Sequence, residues 1–210
     1  MNWRVIMKYP GGIRRKQTIK NSSNSVHVNN LMNRGMSLEE DINITNTFYL
    51  EMNRANIHKK PTPIQIVNVH YPKRSAAVIT EAYFQRSSTT DYNGVYKGKY
   101  IDFEVKETKN KTLFPLANIH EHQMAHMESI HHHGGITFII IRFTVHDENY
   151  LIPFEKISSI WKDQKNGAKS ITYENIKEIG YSIPFSYQAR VDYLAIVDAL
   201  YFSNGGIKNE

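Results

Sequence analysis

The stretch Tyr100-Ile101-Asp102-Phe103-Glu104-Val105-Lys106 decides how this chain is read. Apolar and polar residues alternate along it, the pattern of a β-strand whose side chains point to opposite faces. Ile101, Phe103 and Val105 share one face, and Tyr100, Asp102, Glu104 and Lys106 share the other. Upstream, Asp91 opens the run Asp91-Tyr92-Asn93-Gly94, and Asn-Gly is a strong hairpin signal. A turn there puts Asp91 and Glu104 on neighbouring strands, close enough to share an ion. Converging carboxylates suit Mg²⁺, which takes oxygen ligands and keeps some of its waters. An ammonium beside them suits a phosphate that is gathering charge. These residues point to a metal-dependent phosphodiesterase acting on nucleic acid. The same alternation also describes a sheet with one solvated face, and spacing alone does not separate the two.

The 210 residues carry a formal net charge of +6 and no cysteine. That length suffices for one domain with a substantial core. Without cysteine there is no disulfide, no thiolate nucleophile and no cysteine-ligated zinc. The most apolar run, Ile136 to Ile141, stops at Arg142, too short to cross a bilayer. No early segment joins a basic end to an apolar stretch of signal-peptide length. The expectation is an intracellular protein, cytoplasmic and with no membrane partner. Arg4, Lys8, Arg14, Arg15, Lys16 and Lys20 lie in an opening segment devoid of acidic residues and rich in Asn, Ser and Gly. Residues 1–32 are therefore expected to form a disordered basic arm suited to phosphates.

Ser37-Leu38-Glu39-Glu40 has the form of a capping box, and Leu38, Ile42, Thr45, Tyr49 and Met52 follow at helical spacing. Residues 56–63 read as a break. Strand-like runs over 64–69 and 76–79 follow, in a segment where Lys59, Lys60, Lys73, Arg74 and Arg86 mix with Tyr83 and Phe84. Basic groups hold phosphates and aromatic rings meet exposed bases, although lysines on edge strands also simply block aggregation. A helix is expected over about 118–133, closed by Gly134-Gly135. It holds His120, His122, His126, His131, His132 and His133, whose spacing fits no zinc motif. The run 136–143 reads as a central strand with 150–152 as its partner, and 153–162 and 187–202 as closing helices. The fold class expected is α/β.

The order of elements around Asp91 and Glu104-Val105-Lys106 resembles the restriction-endonuclease-like nucleases, with a mixed central sheet flanked by helices. More closely, the chain resembles the RecU family of Holliday junction resolvases. The carrying residues are Asn33-Arg34-Gly35-Met36 with Leu38-Glu39, then Thr89-Thr90-Asp91-Tyr92-Asn93-Gly94, Ile101 through Thr108, and His122-Gln123. Thr90 stands where the wider superfamily has proline. The resemblance implies a nuclease domain over residues 33–204, and Gly205-Gly206 with the polar end suggests a frayed tail at 205–210. A β stalk over about 59–88 would project towards the centre of a junction.

The resemblance also implies roles for particular residues. Thr89, Asp91, Glu104 and Gln123 would hold Mg²⁺, with Mn²⁺ as a substitute, and Lys106 would stabilise the transition state. Glu39 would support the site from the first helix. Asp102, from its place in the strand on the face of Glu104, is expected to be structural or to support Lys106. Arg34, Lys59, Lys60, Lys73, Arg74, Tyr83, Phe84 and Arg86 would contact DNA. The implied activity is symmetric nicking of four-way junctions by a homodimer, during recombination and repair on nucleoid DNA. Contact with the RecA recombinase is implied too. Two rival readings are a sequence-specific endonuclease of the same fold and a branched-DNA binding or remodelling protein that does not cut. A third is a transition-metal sensor built on the histidines.

Overall fold

Ser37 starts the first helix by satisfying backbone groups that a helix end leaves orphaned. Its hydroxyl accepts the Glu40 N–H at 3.2 Å, and the Glu40 carboxylate accepts the Ser37 N–H at 2.9 Å. The helix that follows, α1 (Leu38–Glu51), buries Leu38, Ile42, Thr45 and Tyr49 as their spacing predicts. Met52, placed on the same stripe, is 63 % exposed because the helix has already ended there. This computed structural model describes residues 36–85, 89–164, 167 and 169–203. The expected arm and tail, with Arg34 and Arg86, lie outside them.

The chain continues as β1 (Asn56–Lys59), a hairpin of β2 (Ile64–His70) and β3 (Val78–Phe84), then β4 (Tyr92–Tyr96) and β5 (Lys99–Thr108). After β6 (Leu113–Pro115) come α2 (Glu121–His132), β7 (Ile136–Phe143), β8 (Glu148–Pro153) and α3 (Phe154–Asp163). The last elements are β9 (Ser170–Thr172), α4 (Tyr173–Ile179), β10 (Tyr181–Ile183) and α5 (Tyr193–Val197). A six-stranded sheet runs β1-β4-β5-β7-β8-β10. Among the described residues only β5 and β7 pair in parallel, so the sheet is mixed but mostly antiparallel. A parallel pair needs a crossover, and α2 lies in it.

Both faces of this sheet are covered. On one, Ile101, Phe103, Phe138 and Leu151 pack with residues of α1 and α5. Tyr92, Phe103 and Phe138 stack there in a row, with centroids 5.0 and 4.7 Å apart, and Tyr193 closes on Phe103 at 4.9 Å. On the other face Ile139, Ile141 and Ile152 pack with Met124, Met127, Ile157 and Ile176 from α2, α3 and α4. Every residue of β7 is buried, as its unbroken apolar run predicts. Since Phe103 points to the first face, Asp102 and Glu104 point to the second, under α2.

Among the described residues the β2–β3 hairpin pairs only with itself, and it is exposed at all seven positions of each strand. It is the expected β stalk.

Three expectations are corrected. Residues 56–59 are an edge strand rather than a break. Of the expected closing helix, 193–197 is α-helical and 198–202 continues as a π-helix, whereas 187–192 is not helical because Phe185 and Val191 bridge and Val191 N–H donates to the Thr45 hydroxyl at 3.1 Å. Asn93-Gly94 is not the hairpin turn. The turn is Lys97-Gly98, with φ of 46° and 76°, the paired positive values that a tight hairpin requires. Gly94 lies inside β4 opposite Ile57, where an added Cβ would come within 2.1 Å of the Asn56 carbonyl oxygen. Glycine is needed there for strand approach, not for a turn. Gly94→Ala should therefore destabilise the fold by about 1–3 kcal/mol through overpacking, read as a lower urea midpoint. An unchanged midpoint would mean that β1 adds little.

Candidate active site

Asp91 and Glu104 meet because their strands are neighbours. Tyr92 pairs with Phe103 in the β4–β5 register, which leaves Asp91 just beyond, facing Glu104. The Asp91 N–H donates to Glu104 Oε2 at 3.1 Å. Glu104 is fully buried, so the solvated-face reading of this row fails for it, and likewise for Asp102. Its other oxygen, Oε1, has the Lys106 ammonium at 2.7 Å, yet it receives no hydrogen bond of proper direction. Burial, and then the adjacent Asp91 carboxylate, push the Glu104 carboxyl up to about 8 against the partial relief from Lys106. Tyr92 OH, on the opposite face, is raised by burial and by the Glu39, Asp91 and Glu104 carboxylates.

The remaining candidate residues divide. The half-buried Thr89 hydroxyl donates to the Thr90 carbonyl at 3.4 Å. Gln123 is buried on α2, where its Oε1 accepts the His120 N–H at 3.0 Å and so caps the helix. Glu39 lies in the first turn of α1, paired with Lys59. Asp102 was expected to support Lys106, but its carboxylate takes Lys60 Nζ at 2.7 Å, Tyr100 OH at 3.1 Å and the Thr90 hydroxyl. Lys60 therefore turns inward, with its side chain 16 % exposed, instead of joining the surface basic groups. Lys73, Tyr83 and Phe84 are exposed on the stalk or its connecting turn, with Phe84 at 84 %. Arg74 sits in that turn, and its side chain lies outside what the structure describes.

Comparison with known proteins fixes the lineage. The family model described as RecU, Recombination protein U, matches residues 33–199. The chain belongs to the RecU family. A relative from Oceanobacillus iheyensis named Holliday junction resolvase RecU is 62 % identical over 197 residues, covering 93 % of this chain and 100 % of that one. Relatives of the same name from Geobacillus sp. and Bacillus cereus are 55 % and 54 % identical, each over 95 % of this chain and 100 % of their own. Among solved structures, Archaeoglobus fulgidus Hjc, a Holliday junction resolvase, matches 67 % of this chain and 93 % of its own. Its TM-score is 0.38 and its identity 9 %, too distant to carry weight.

The RecU-family site fits a hard divalent cation. A buried carboxylate beside a second one, with an oxygen lacking a directed donor, is short of positive charge. Among the described residues no group of three or more His, Cys, Asp or Glu could hold a metal ion. Two carboxylates with neutral oxygens, water and phosphate making up the rest is a donor set that suits Mg²⁺ better than zinc.

The cluster of Lys60, Thr90 and His126 around Asp102 was not foreseen. One signal for it was present: His126 follows Gln123 by three residues on a helix, which puts both on one face.

Glu104 also predicts how stability responds to pH without metal. Its folded value near 8 lies above the ordinary value of 4.5, so the folded state holds a proton that the unfolded chain releases between those values. Stability is unaffected below about pH 4, falls as pH rises through that window, and is lowest above it. Glu104→Gln in EDTA should thus raise stability by about 1–3 kcal/mol at pH 9 and leave it unchanged at pH 4. A destabilised variant at pH 9 would contradict this.

Proposed function

We propose that this chain resolves four-way DNA junctions by metal-assisted hydrolysis of a phosphodiester bond. Membership of a family whose relatives are named Holliday junction resolvases supports this, together with the half-buried Asp91 facing the buried Glu104 beside Lys106. What a cation, Mg²⁺ or Mn²⁺, would supply is charge against the scissile phosphate and a lowered pKa for its bound water. Asp91 and Glu104 would hold it, joined by the Thr89 hydroxyl and by the Gln123 carbonyl once it gives up its cap. Lys106 sits against Glu104 and is partly exposed, so its ammonium can meet charge developing on the phosphate. Glu39 would hold Lys59 in place until a phosphate competes for it.

The apolar, aromatic stalk offers Tyr83 and Phe84 to unstacked bases at the branch and Lys73 to the backbone, and the family resemblance would add Arg74 and Arg86 to the backbone contacts. Arg34 would contact the backbone as well. A homodimer would present two such sites with the two-fold symmetry of the junction, so that opposed strands are nicked in register. Recombination and repair in the cytoplasm, on nucleoid DNA and alongside the RecA recombinase, is the setting this reading implies.

Asp91→Ala and Glu104→Ala should abolish nicking of a synthetic four-way junction while gel-shift binding survives. Lys106→Ala should slow it by an amount on the order of 2–4 kcal/mol in activation free energy. A linear duplex of the same arms should stay intact. Junction binding with no cutting by the unmodified protein, in either Mg²⁺ or Mn²⁺, would leave a binding protein. Faster cutting of the linear duplex would make it a sequence-specific endonuclease.

A further inference from the structure

The cluster around Asp102 lies on the same sheet face as Glu104 and touches Asp91 through the backbone. Asp102 is fully buried, and four groups surround its carboxylate. Lys60 Nζ is at 2.7 Å, Tyr100 OH at 3.1 Å and His126 Nε2 at 3.3 Å, and the Thr90 hydroxyl donates to the other oxygen. Lys60 also donates to Thr90 Oγ1 at 3.0 Å and lies 3.3 Å from His126 Nε2. His126 Nε2 either accepts from Lys60 or donates to Asp102, and in both cases the ammonium has two donors engaged by Asp102 and Thr90 inside the protein. A lysine so engaged is held at a buried carboxylate, and pulling it away would leave that charge unpaired, which is costly.

What the cluster does reach is Asp91. The Lys60 N–H donates to the Asp91 carbonyl at 2.8 Å, while the Asp91 N–H is held by Glu104 at 3.1 Å. Thr90, the residue before Asp91, is held through its hydroxyl. The end of β1, the segment entering β4, strand β5 and helix α2 are thereby tied at one buried point. We propose that Lys60 and Asp102 form a buried ion pair that positions Asp91 against Glu104, so that the two carboxylates converge on one cation. Both are positioning residues; neither touches the reacting atoms. The inference rests on the reading of Asp91 and Glu104 as cation ligands.

Partners that orient metal ligands typically change affinity by about 10–100-fold when removed. The test uses the full chain, Thr90→Val, and the double variant Lys60→Met/Asp102→Asn, which removes both charges together. Mn²⁺ binding is measured from free-ion spin resonance, counting only the binding lost in Glu104→Ala. Thermal midpoint and junction binding are measured in EDTA. The expected result is Mn²⁺ affinity at least about tenfold weaker in both variants, with junction binding in EDTA within about twofold of the unmodified protein.

Unchanged Mn²⁺ affinity overturns the proposal. So does weaker junction binding in EDTA with Mn²⁺ affinity intact, which would make Lys60 a DNA contact. If the double variant does not fold, Thr90→Val decides alone. An unmodified protein that binds no Mn²⁺ at Glu104 also overturns it. One that binds Mn²⁺ there but cuts no junction refutes the proposed activity and leaves this inference to the affinities.

Discussion

Everything at this site follows from one carboxylate held out of water. Glu104 has no exposed surface, a second carboxylate as neighbour and one ammonium in contact. A fold does not keep such a group without compensation, because a buried charge is tolerated only when paired. Lys106 compensates in part. The rest of the positive charge is missing from the protein itself, and this deficit distinguishes the Asp91–Glu104 pair from the neighbouring Asp102, whose carboxylate is surrounded by donors.

The scaffold is built to hold that arrangement in register. A shift of one residue between β4 and β5 would exchange the faces of the whole row, sending Phe103 to the site and Glu104 to the core. The stacked rings of Tyr92, Phe103 and Phe138 oppose such a slip from one side of the sheet. Tyr92 adds a polar lock, its one hydroxyl proton shared between Asn43 Oδ1 at 2.9 Å and the Glu39 carbonyl at 3.2 Å, which fixes β4 to α1. Below the other face, α2 carries Gln123 and His126 across the crossover that a parallel β5–β7 pair demands.

Local patterns in the sequence reached far into this structure. The capping box at Ser37, the alternation in β5 and the unbroken apolar run of β7 each predict their element because each depends on neighbours in the chain. Features set by distant partners were misread. Gly94 looks like a turn residue, and its true reason is the approach of β1, a strand without an apolar run long enough to announce it. Lys60 looks like a surface base until Asp102 and His126 are seen around it. The short final helix is shaped by Thr45 of α1, far away in sequence. Spacing brings Asp91, Glu104 and Lys106 together, as the strand register does, and the family resemblance adds Thr89 and Gln123 as expected ligands. Their burial was not legible, because the same alternation suits a wet face.

Diffraction from crystals soaked in Mn²⁺, read at the manganese absorption edge, addresses the shared carboxylate site most directly. An anomalous peak between the Asp91 and Glu104 side chains, absent from Glu104→Ala crystals, is the result expected. No peak there at saturating Mn²⁺, or peaks confined to the histidines of α2, would contradict the view that this pair is the seat of a catalytic cation.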